Sequence, residues 1–407
     1  MKKIILFALI SLRMCIAHAD MEVPVGALLS LSGDAASEGA ATRKALLLAE
    51  QDINALLSQE RAGFHIRLLV EDTQTNPDIA LEKAKSLHAR GARVLLGPST
   101  SAELHHIKEF AQEQGVLILS HASTAPSLSL AGDNIFRFVP DDTHQAQAIV
   151  EIMKERGVTA VVPVWRGDVF GDDLVAGVIS RTDTMHWAEG VRYDPDEHDP
   201  AHVVELLAGQ VTALLDTAYT TNHVAVLLVS LVESAFILAE ASRVPVLGDV
   251  AWFGSDGTAR SGAIKNNEKA AAFAAKTSLV SPVHTYDAGR MMLNAPLAAV
   301  CARVTYHIGR DPEPYAFAAW DALWVAAAAM QSAGPDAALE VLRQELIDTA
   351  DQFQGMLGAG SLNEAGDRIF GKYGFYRMEE TEQGEYKWVR DATCHIQPVF
   401  PPYITRP

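Results

Sequence analysis

Short apolar segments alternate with helical segments along most of this chain, and this alternation constrains its fold more than any other feature. An apolar segment at residues 23–29 precedes a helical pattern at residues 37–57. A second apolar segment, residues 64–70, precedes a helix that Pro77 opens and that runs to about residue 90. Strands that alternate with such helices are typical of βαβ units. The sequence therefore predicts an α/β fold with mainly parallel sheets.

The alternation continues after these segments and starts again after Pro140. Two successive α/β modules predict two similar Rossmann-like lobes, and the alternating pattern of residues 373–388 predicts a hairpin that completes the second lobe. The other predicted strands are residues 93–96, 116–119, 160–164, 224–229 and 251–253. The other predicted helices are residues 103–114, 145–156, 172–180, 203–218, 233–243 and 316–333.

Length and charge narrow the classes of function. A chain of 407 residues exceeds the size of one ordinary hydrophobic core, which favours two domains. The formal net charge of −18 disfavours binding to nucleic acid, because an acidic surface repels phosphate. After the N-terminal region, the best candidate for a membrane span is residues 316–330, which is too short and is interrupted by Asp321.

The N-terminal residues have the pattern of an export signal. Lys2 and Lys3 precede a short apolar stretch at residues 4–12, and Ala17-His18-Ala19 fits the small-x-small rule for cleavage. We therefore expect residues 1–19 to be a signal peptide and the mature protein to be periplasmic or extracellular. Cys15 leaves open the alternative of a lipoprotein, although the residues before it match a lipobox poorly.

The mature chain would keep two cysteines, Cys301 and Cys394. In an oxidising compartment they either form a disulfide or remain two buried thiols, and the sequence does not separate these alternatives. No CxxC pair is present, so we expect no zinc or redox site of that type, and we predict no metal and no cofactor.

The loops that follow the predicted strands are rich in Ser, Thr, Gly and Asp. Ligands of open α/β sheets bind beyond the carboxyl ends of the strands, so these loops are the place to look for a site. Their hydroxyls and backbone N–H groups can hold a carboxylate at the start of a helix, although such residues are also ordinary in turns and N-caps. The six loops are residues 30–38, 97–101, 120–126, 165–171, 230–234 and 254–258.

Several of these segments, in their order and spacing, carry a family resemblance. The chain resembles the type I periplasmic binding proteins of the leucine/isoleucine/valine-binding kind, which serve ABC importers. The resemblance implies two lobes joined by a multi-strand hinge, with residues 20–140 and about 275–355 in lobe I and residues 141–274 and about 356–407 in lobe II. The segments that carry it are residues 26–33, 52–55, 95–101, 118–126, 170–172, 253–257 and 360–368.

The resemblance also implies roles for particular residues. In such relatives a Ser, a Thr and backbone N–H groups of the first lobe hold an α-carboxylate, and an acid of the second lobe pairs with the α-ammonium. The acid falls here on Asp256, an aromatic residue that closes over the ligand falls on Phe170, and a second aromatic residue of the cleft falls on Trp320. The alternatives are a turn role for Asp256 and a core position for Trp320, which lies on an apolar helix. The residues that match the carboxylate-binding positions are Ser101, Ala122, Ser123 and Thr124.

Two positions depart from the branched-chain pattern. Glu38 stands where these relatives have an aromatic residue in the first lobe, and a hydroxyl at or near Ser230 replaces a Tyr of the second lobe. If Glu38 points inward, its charge favours a polar or cationic ligand over leucine. The alternative is a solvated acid in the first turn of a helix, where a negative charge suits the helix dipole.

These features together predict a solute-binding protein and not an enzyme. We expect it to capture a small amino-acid-like ligand between its lobes, to act as a monomer and to deliver the ligand to the membrane permease of an ABC importer. A sensor module of the same fold, acting on a different partner protein, is the alternative. A hydrolase with Ser101, His121 and Asp256 as a triad is less favoured, because no Gly-x-Ser-x-Gly motif is present.

Overall fold

The structure, a computed structural model, describes residues 20–196, 199–286, 293–369, 371–396 and 401–407. The predicted signal peptide, residues 1–19 with Cys15, lies outside the described residues.

The first lobe is built on a sheet of five parallel strands, ordered β2-β1-β3-β4-β5. The last five residues of β1 are all buried, as expected for a parallel strand that is covered by helices on both faces. The strands are β1 Met21–Leu29, β2 Phe64–Asp72, β3 Val94–Leu96, β4 Leu117–Ser120 and β5 Ile135–Arg137, and the helices within this part of the chain are α1 Ala36–Glu60, α2 Pro77–Ala89 and α3 Ser101–Gln114.

The second lobe contains a nine-stranded sheet in which β6 to β11 pair in parallel and β14 to β16 pair antiparallel. The strand order is β16-β15-β14-β11-β10-β9-β6-β7, and β8 also pairs with β6. The strands are β6 Ala160–Arg166, β7 His186–Trp187, β8 Val191–Tyr193, β9 Val224–Val229, β10 Ala251–Gly254, β11 Val280–Thr285, β14 Gly371–Glu380, β15 Tyr386–Ile396 and β16 Tyr403–Thr405.

The remaining elements complete the two lobes. A small two-stranded ribbon of β12 Gln354–Gly355 and β13 Gly358–Ala359 lies between the last helix and β14 in sequence. The helices of the second lobe are α4 Asp142–Glu155, α5 Val169–Ile179, α6 Pro200–Leu215, α7 Ser234–Ala241, α8 Gly262–Asn266 and α9 Glu268–Lys276; the later helices are α10 Ala295–Ile308, α11 Pro314–Ala333 and α12 Leu339–Gln352. None of the helices that the structure describes is long and apolar enough to cross a bilayer.

Helix α11 returns the chain to the first lobe. It is rich in alanine, is buried on nearly every side and packs against α1, β3, β4 and α12. A helix that is apolar all round needs such an enclosed position. Trp320 lies in this helix, is 4% exposed and belongs to the apolar core of the first lobe, where its ring lies 6.4 Å from that of Trp324.

The chain passes between the sheets three times, and this confirms the predicted two-lobed α/β architecture. It leaves the first sheet after β5, returns after β11 and crosses again between α12 and β14. The second crossing corrects the predicted boundary at about residue 275, because β11 pairs with β10 and β14 and so belongs to the second sheet up to Thr285. The apolar run that forms β11 is short and follows another helix closely, so the alternation did not reveal it.

A buried ion pair joins the first and third crossings. Arg137, at the end of β5, is fully buried, and its Nε and Nη2 lie 2.5 and 2.7 Å from the two carboxylate oxygens of Asp367. The backbone N–H of Arg137 donates to Gly366, and the N–H of Arg368 donates to the carbonyl of Arg137. The two crossings are therefore tied together by charge and by backbone hydrogen bonds.

The two cysteines are free thiols. Cys301 is half-buried in α10, whereas Cys394 is buried in β15 of the second sheet. Burial raises the pKa of the Cys394 thiol to about 12. The structure thus supports the alternative of two thiols over a disulfide.

Candidate functional site

A cavity of about 390 Å³ lies between the lobes, at the carboxyl ends of the parallel strands. Residues from all six predicted loops, after β1, β3, β4, β6, β9 and β10, line it; the loop after β9 contributes Leu231 and Val232. A volume of this size suits a small metabolite, and its position between two lobes is a common one for ligand sites. The cavity is therefore the candidate functional site.

The first-lobe wall is formed by the N terminus of α3 and the loop after β4. Thr100 is the N-cap of α3 and forms a capping box with Glu103, so that the helix begins firmly at Ser101. The Ser101 hydroxyl accepts the backbone N–H groups of Thr124 and Ala125 at 3.2 and 3.3 Å. This wall presents the Ser101 hydroxyl and the positive end of a helix dipole to the cavity, and both favour an anionic group.

A chain of hydrogen bonds leads from this wall to the second lobe. The Thr124 hydroxyl donates to Asp142 at 2.8 Å, and the amide of Gln145 donates to the same carboxyl at 2.5 Å. The Gln145 side-chain oxygen in turn accepts the backbone N–H of Asp256 at 2.8 Å. Helix α4 thus positions the acid-bearing loop after β10 relative to the first lobe.

Asp256 faces the cavity at the end of this chain. The Tyr315 hydroxyl, at the start of α11, donates to its carboxylate at 2.6 Å, and the N–H of Gly257 donates at 2.9 Å. Burial raises the pKa of Asp256, against the lowering effect of the Tyr315 and Gln145 hydrogen bonds. A cation bound beside this carboxylate would be stabilised in a poorly solvated position.

A second acid, Glu38, also faces the cavity, so the inward orientation of this side chain is the one that the structure adopts. It lies in the first turn of α1, which comes close to the end of β1 because residue 39 is glycine: a Cβ there would overlap the carbonyl oxygen of Ser30. Burial raises the pKa of Glu38 well above its usual value, and the negative charges of Glu313, Asp256 and Glu103 raise it further.

Phe170 lies on the second-lobe side of the cavity, in the first turn of α5. Its neighbour Asp168 caps this helix by accepting the N–H of Gly171 at 3.0 Å, and its other carboxylate oxygen accepts from Arg166 at 2.6 Å. Arg166 also donates to Glu233 at 2.9 Å. Arg166 thus shares its single positive charge between Asp168 and Glu233, and Phe170 presents an apolar surface beside Asp168.

Six of the nine predicted site residues line the cavity, and the structure places the other three behind it. Ser123, Ser230 and Trp320 are not part of its wall. The Ser123 hydroxyl lies behind Ser101 at 2.9 Å, and the Ser230 hydroxyl accepts from Tyr193 at 2.8 Å, so both act on neighbouring side chains; Trp320 packs in the core. The six that line the cavity are Glu38, Ser101, Ala122, Thr124, Phe170 and Asp256.

Sequence reasoning missed four residues that shape the site. Tyr315, Glu313 and Arg260 line the cavity, and Gln145 holds the backbone of Asp256 from behind. The first two had a usable signal, because an acid followed by Pro314 and an aromatic residue marks the beginning of a buried helix that reaches a loop cluster. Arg260 and Gln145 had none, since their positions depend on how the two lobes meet.

The three residues of the conceivable hydrolase triad do not interact as a triad. Ser101 bonds to Ser123 and to backbone N–H groups, and Asp256 bonds to Tyr315 and Gly257. His121 is fully buried, neither ring nitrogen has a hydrogen-bond partner among the described residues, and burial lowers its pKa to about 4. Within the described part of the chain, no general base hydrogen-bonds to the Ser101 hydroxyl, as nucleophilic catalysis by a serine requires.

Comparison with known proteins gives the same fold and a family. An uncharacterised protein of Methanocaldococcus jannaschii is 28% identical over 378 residues, which cover 88% of this chain and 87% of that protein. A leucine-binding protein from Thermotoga maritima superposes with a TM-score of 0.75 at 19% identity, covering 92% of this chain and 99% of the other.

The branched-chain amino acid transporter substrate-binding protein of Streptococcus pneumoniae, solved with isoleucine, superposes with a TM-score of 0.69 at 17% identity, covering 91% of this chain and 99% of the other. These likenesses establish the type I periplasmic-binding fold. The profile described as the receptor family ligand binding region matches residues 41–381, which is most of the chain. The protein therefore belongs to the family described as the receptor family ligand binding region, and it has the fold of the type I periplasmic binding proteins.

Proposed function

We propose that this protein is an exported solute-binding protein that captures a small amino-acid-like ligand between its lobes for an ABC importer. The observation that carries the proposal is the cavity itself, which has an anion-favouring wall at Ser101 and Thr124 and the carboxylate of Asp256 on the other lobe. A zwitterion needs these two kinds of group, facing each other and shielded from water.

The way in which the lobes meet supports a mechanism of hinge closure. The ligand carboxylate docks first at the N terminus of α3, and the second lobe then brings Asp256 and Phe170 over the ligand. Closure excludes water and strengthens the pairing between the carboxylate and the ligand ammonium. The closed form is the one that a membrane permease would recognise.

The test is ligand binding by the purified protein without residues 1–19. A thermal-shift screen against amino acids, small peptides, amides and carboxylates should give a rise in melting temperature for amino-acid-like compounds, because a ligand that binds only the folded state stabilises it. The proposal is wrong if only compounds that lack an ammonium or a carboxylate raise the melting temperature.

The role of Asp256 gives a sharper test. Asp256→Ala should weaken binding of the best ligand by about 2–5 kcal/mol, because it leaves a buried ammonium without its partner. Asp249→Ala, which removes an exposed acid of the same lobe, is the matched control and should bind like the wild type. Equal affinity of the Asp256 variant and the wild type in calorimetry would remove Asp256 from the site.

A sensor of the same fold is the second candidate, and the same cavity would serve it. The two functions differ in the partner that recognises the closed form, so a pull-down of membrane permease or of a signalling protein with the liganded form separates them.

A further inference from the structure

Two carboxylate oxygens in the cavity wall have no hydrogen-bond partner among the described residues. They are Oε1 of Glu38 and Oε2 of Glu313, and each atom is buried. A buried carboxylate oxygen without a partner loses its hydration and gains nothing in return. Two such oxygens beside one cavity indicate that a hydrogen-bond donor belongs between them.

The described cations near the cavity donate no hydrogen bond to the buried oxygen of Glu38. The other oxygen of Glu313 pairs with Arg310, whose guanidinium also donates to the backbone and hydroxyl of Ser37 at 3.2 and 3.1 Å. Arg260 lines the cavity, but its guanidinium donates to the backbone carbonyl groups of Asp311 and Pro312 at 3.1 and 3.5 Å. The charge of Arg310 lowers the pKa of Glu38, but the hydrogen bonds of Arg310 and Arg260 go to other groups.

An apolar ligand does not fit this arrangement. A leucine or isoleucine side chain would bury Glu38 and Glu313 further while offering no donor to either. Glu38 belongs to α1 of the first lobe, and the charge of Asp256 still raises its pKa. The two acids differ in their hydrogen bonds, because the Asp256 carboxylate receives two, from Tyr315 and Gly257, and is the partner proposed for the α-ammonium.

We propose that the cavity selects an amino-acid-like ligand with a second cationic group on its side chain, and that Glu38 and Glu313 hold this second cation. This inference rests on the proposed function and adds the class of ligand. Charge-assisted hydrogen bonds from an ammonium or guanidinium to these two oxygens satisfy both acceptors and offset the surplus negative charge. Burial and the neighbouring negative charges raise the pKa of Glu38, and a cation bound beside it would offset those charges.

Pairs of ligands that differ mainly in charge test the inference. Calorimetric titration should show L-arginine binding at least tenfold more tightly than L-citrulline, or L-lysine at least tenfold more tightly than L-norleucine, depending on which cation fits the cavity. Citrulline keeps the shape of arginine without its charge, so the comparison isolates the second cation.

The variant Glu38→Gln assigns the effect to this residue. It should reduce the preference for the cationic member of the pair to less than threefold, whereas Glu82→Gln, which changes an exposed acid of α2 outside the cavity, should leave the preference unchanged. The melting temperature of each variant without ligand shows whether it is folded, and Glu313→Gln provides a second, independent variant.

The outcomes separate the inference from the proposed function. Equal or tighter binding of the neutral member of both pairs overturns the second-cation site while leaving amino-acid binding intact. A cationic preference that survives in both Glu38→Gln and Glu313→Gln also overturns it. If no amino acid binds at all, the proposed function fails and the inference fails with it.

Discussion

Glu38 departs from the family pattern in sequence and should also lower the stability of the ligand-free fold. Glu38 replaces an aromatic residue of the family pattern, and it faces the cavity with a buried oxygen that no described group satisfies. Binding proteins commonly give up stability at the ligand site, because groups placed for a ligand are unsatisfied without it. Glu38 fits this description, and its effect on stability can be measured without knowing the ligand.

We predict that Glu38→Gln stabilises the ligand-free protein by about 1 kcal/mol at neutral pH, because an amide carries no charge to bury. The pKa of Glu38 is raised in the folded state, so the unfolded state releases the proton first as pH rises and folding stability falls. The advantage of the variant should therefore shrink as the pH is lowered towards the ordinary glutamate pKa of about 4.3.

Urea unfolding of both proteins across this pH range measures the effect. The charged groups that face Glu38 from other elements are Glu313, Asp256, Glu103 and Arg310. They are common to both proteins, so the difference between the two isolates residue 38. A difference that is the same at every pH would show that packing, and not charge, sets the stability at this position.

At the scale of the elements, the periodic pattern of the sequence was an effective guide where elements are buried and regular. The strand at residues 224–229 was predicted at its observed bounds, and the predicted hairpin at residues 373–388 is present as the longer pair β14 and β15. The strand β5, of three residues, and the strands β7 and β8 were missed because they are too short to show a period.

The candidate site, like the fold, was predicted in part and missed in part. Loops after strands were predicted from the rule for parallel sheets, and the resemblance then selected Ser101, Thr124 and Asp256 within them. Trp320 was misplaced because an aromatic residue on a helix faces the cleft or the core according to how the helix is rotated, and α11 is apolar on nearly all sides. Such a helix has no polar face from which its orientation can be inferred.

The ion pair between β5 and the third crossing supports a prediction at this scale. Asp367→Asn should destabilise the protein by about 3 kcal/mol, because it leaves the fully buried Arg137 without its counter-charge. The exposed Asp351→Asn is the matched control and should stay within about 0.5 kcal/mol of the wild type in denaturant unfolding. A loss in the Asp367 variant no larger than in the control would show that backbone hydrogen bonds alone hold the crossings together.

At the scale of the whole molecule, the lobes are joined through the site as well as through the crossings. Tyr315 belongs to α11, which packs on the first lobe, yet its hydroxyl donates to Asp256 on the second lobe. Gln145 and Thr124 extend this link through Asp142. The residues that contact the ligand in the proposed mechanism thus also bias the lobes towards the closed arrangement.

Removing one link should therefore change both closure and affinity. Tyr315→Phe keeps the ring that packs edge-on against His284, at 4.8 Å between ring centroids, but deletes the hydrogen bond to a buried carboxylate. Such a bond contributes about 1.5–3 kcal/mol, so the open form should become more populated and the ligand should bind more than tenfold more weakly. Small-angle scattering of the ligand-free variant should give a larger radius of gyration than the wild type, and saturating ligand should bring the two values together.

Tyr306→Phe, which alters an exposed tyrosine of α10, is the control. If Tyr315→Phe weakens binding without changing the radius of gyration, Tyr315 acts on the charge of Asp256 alone, and closure is governed by the three crossings.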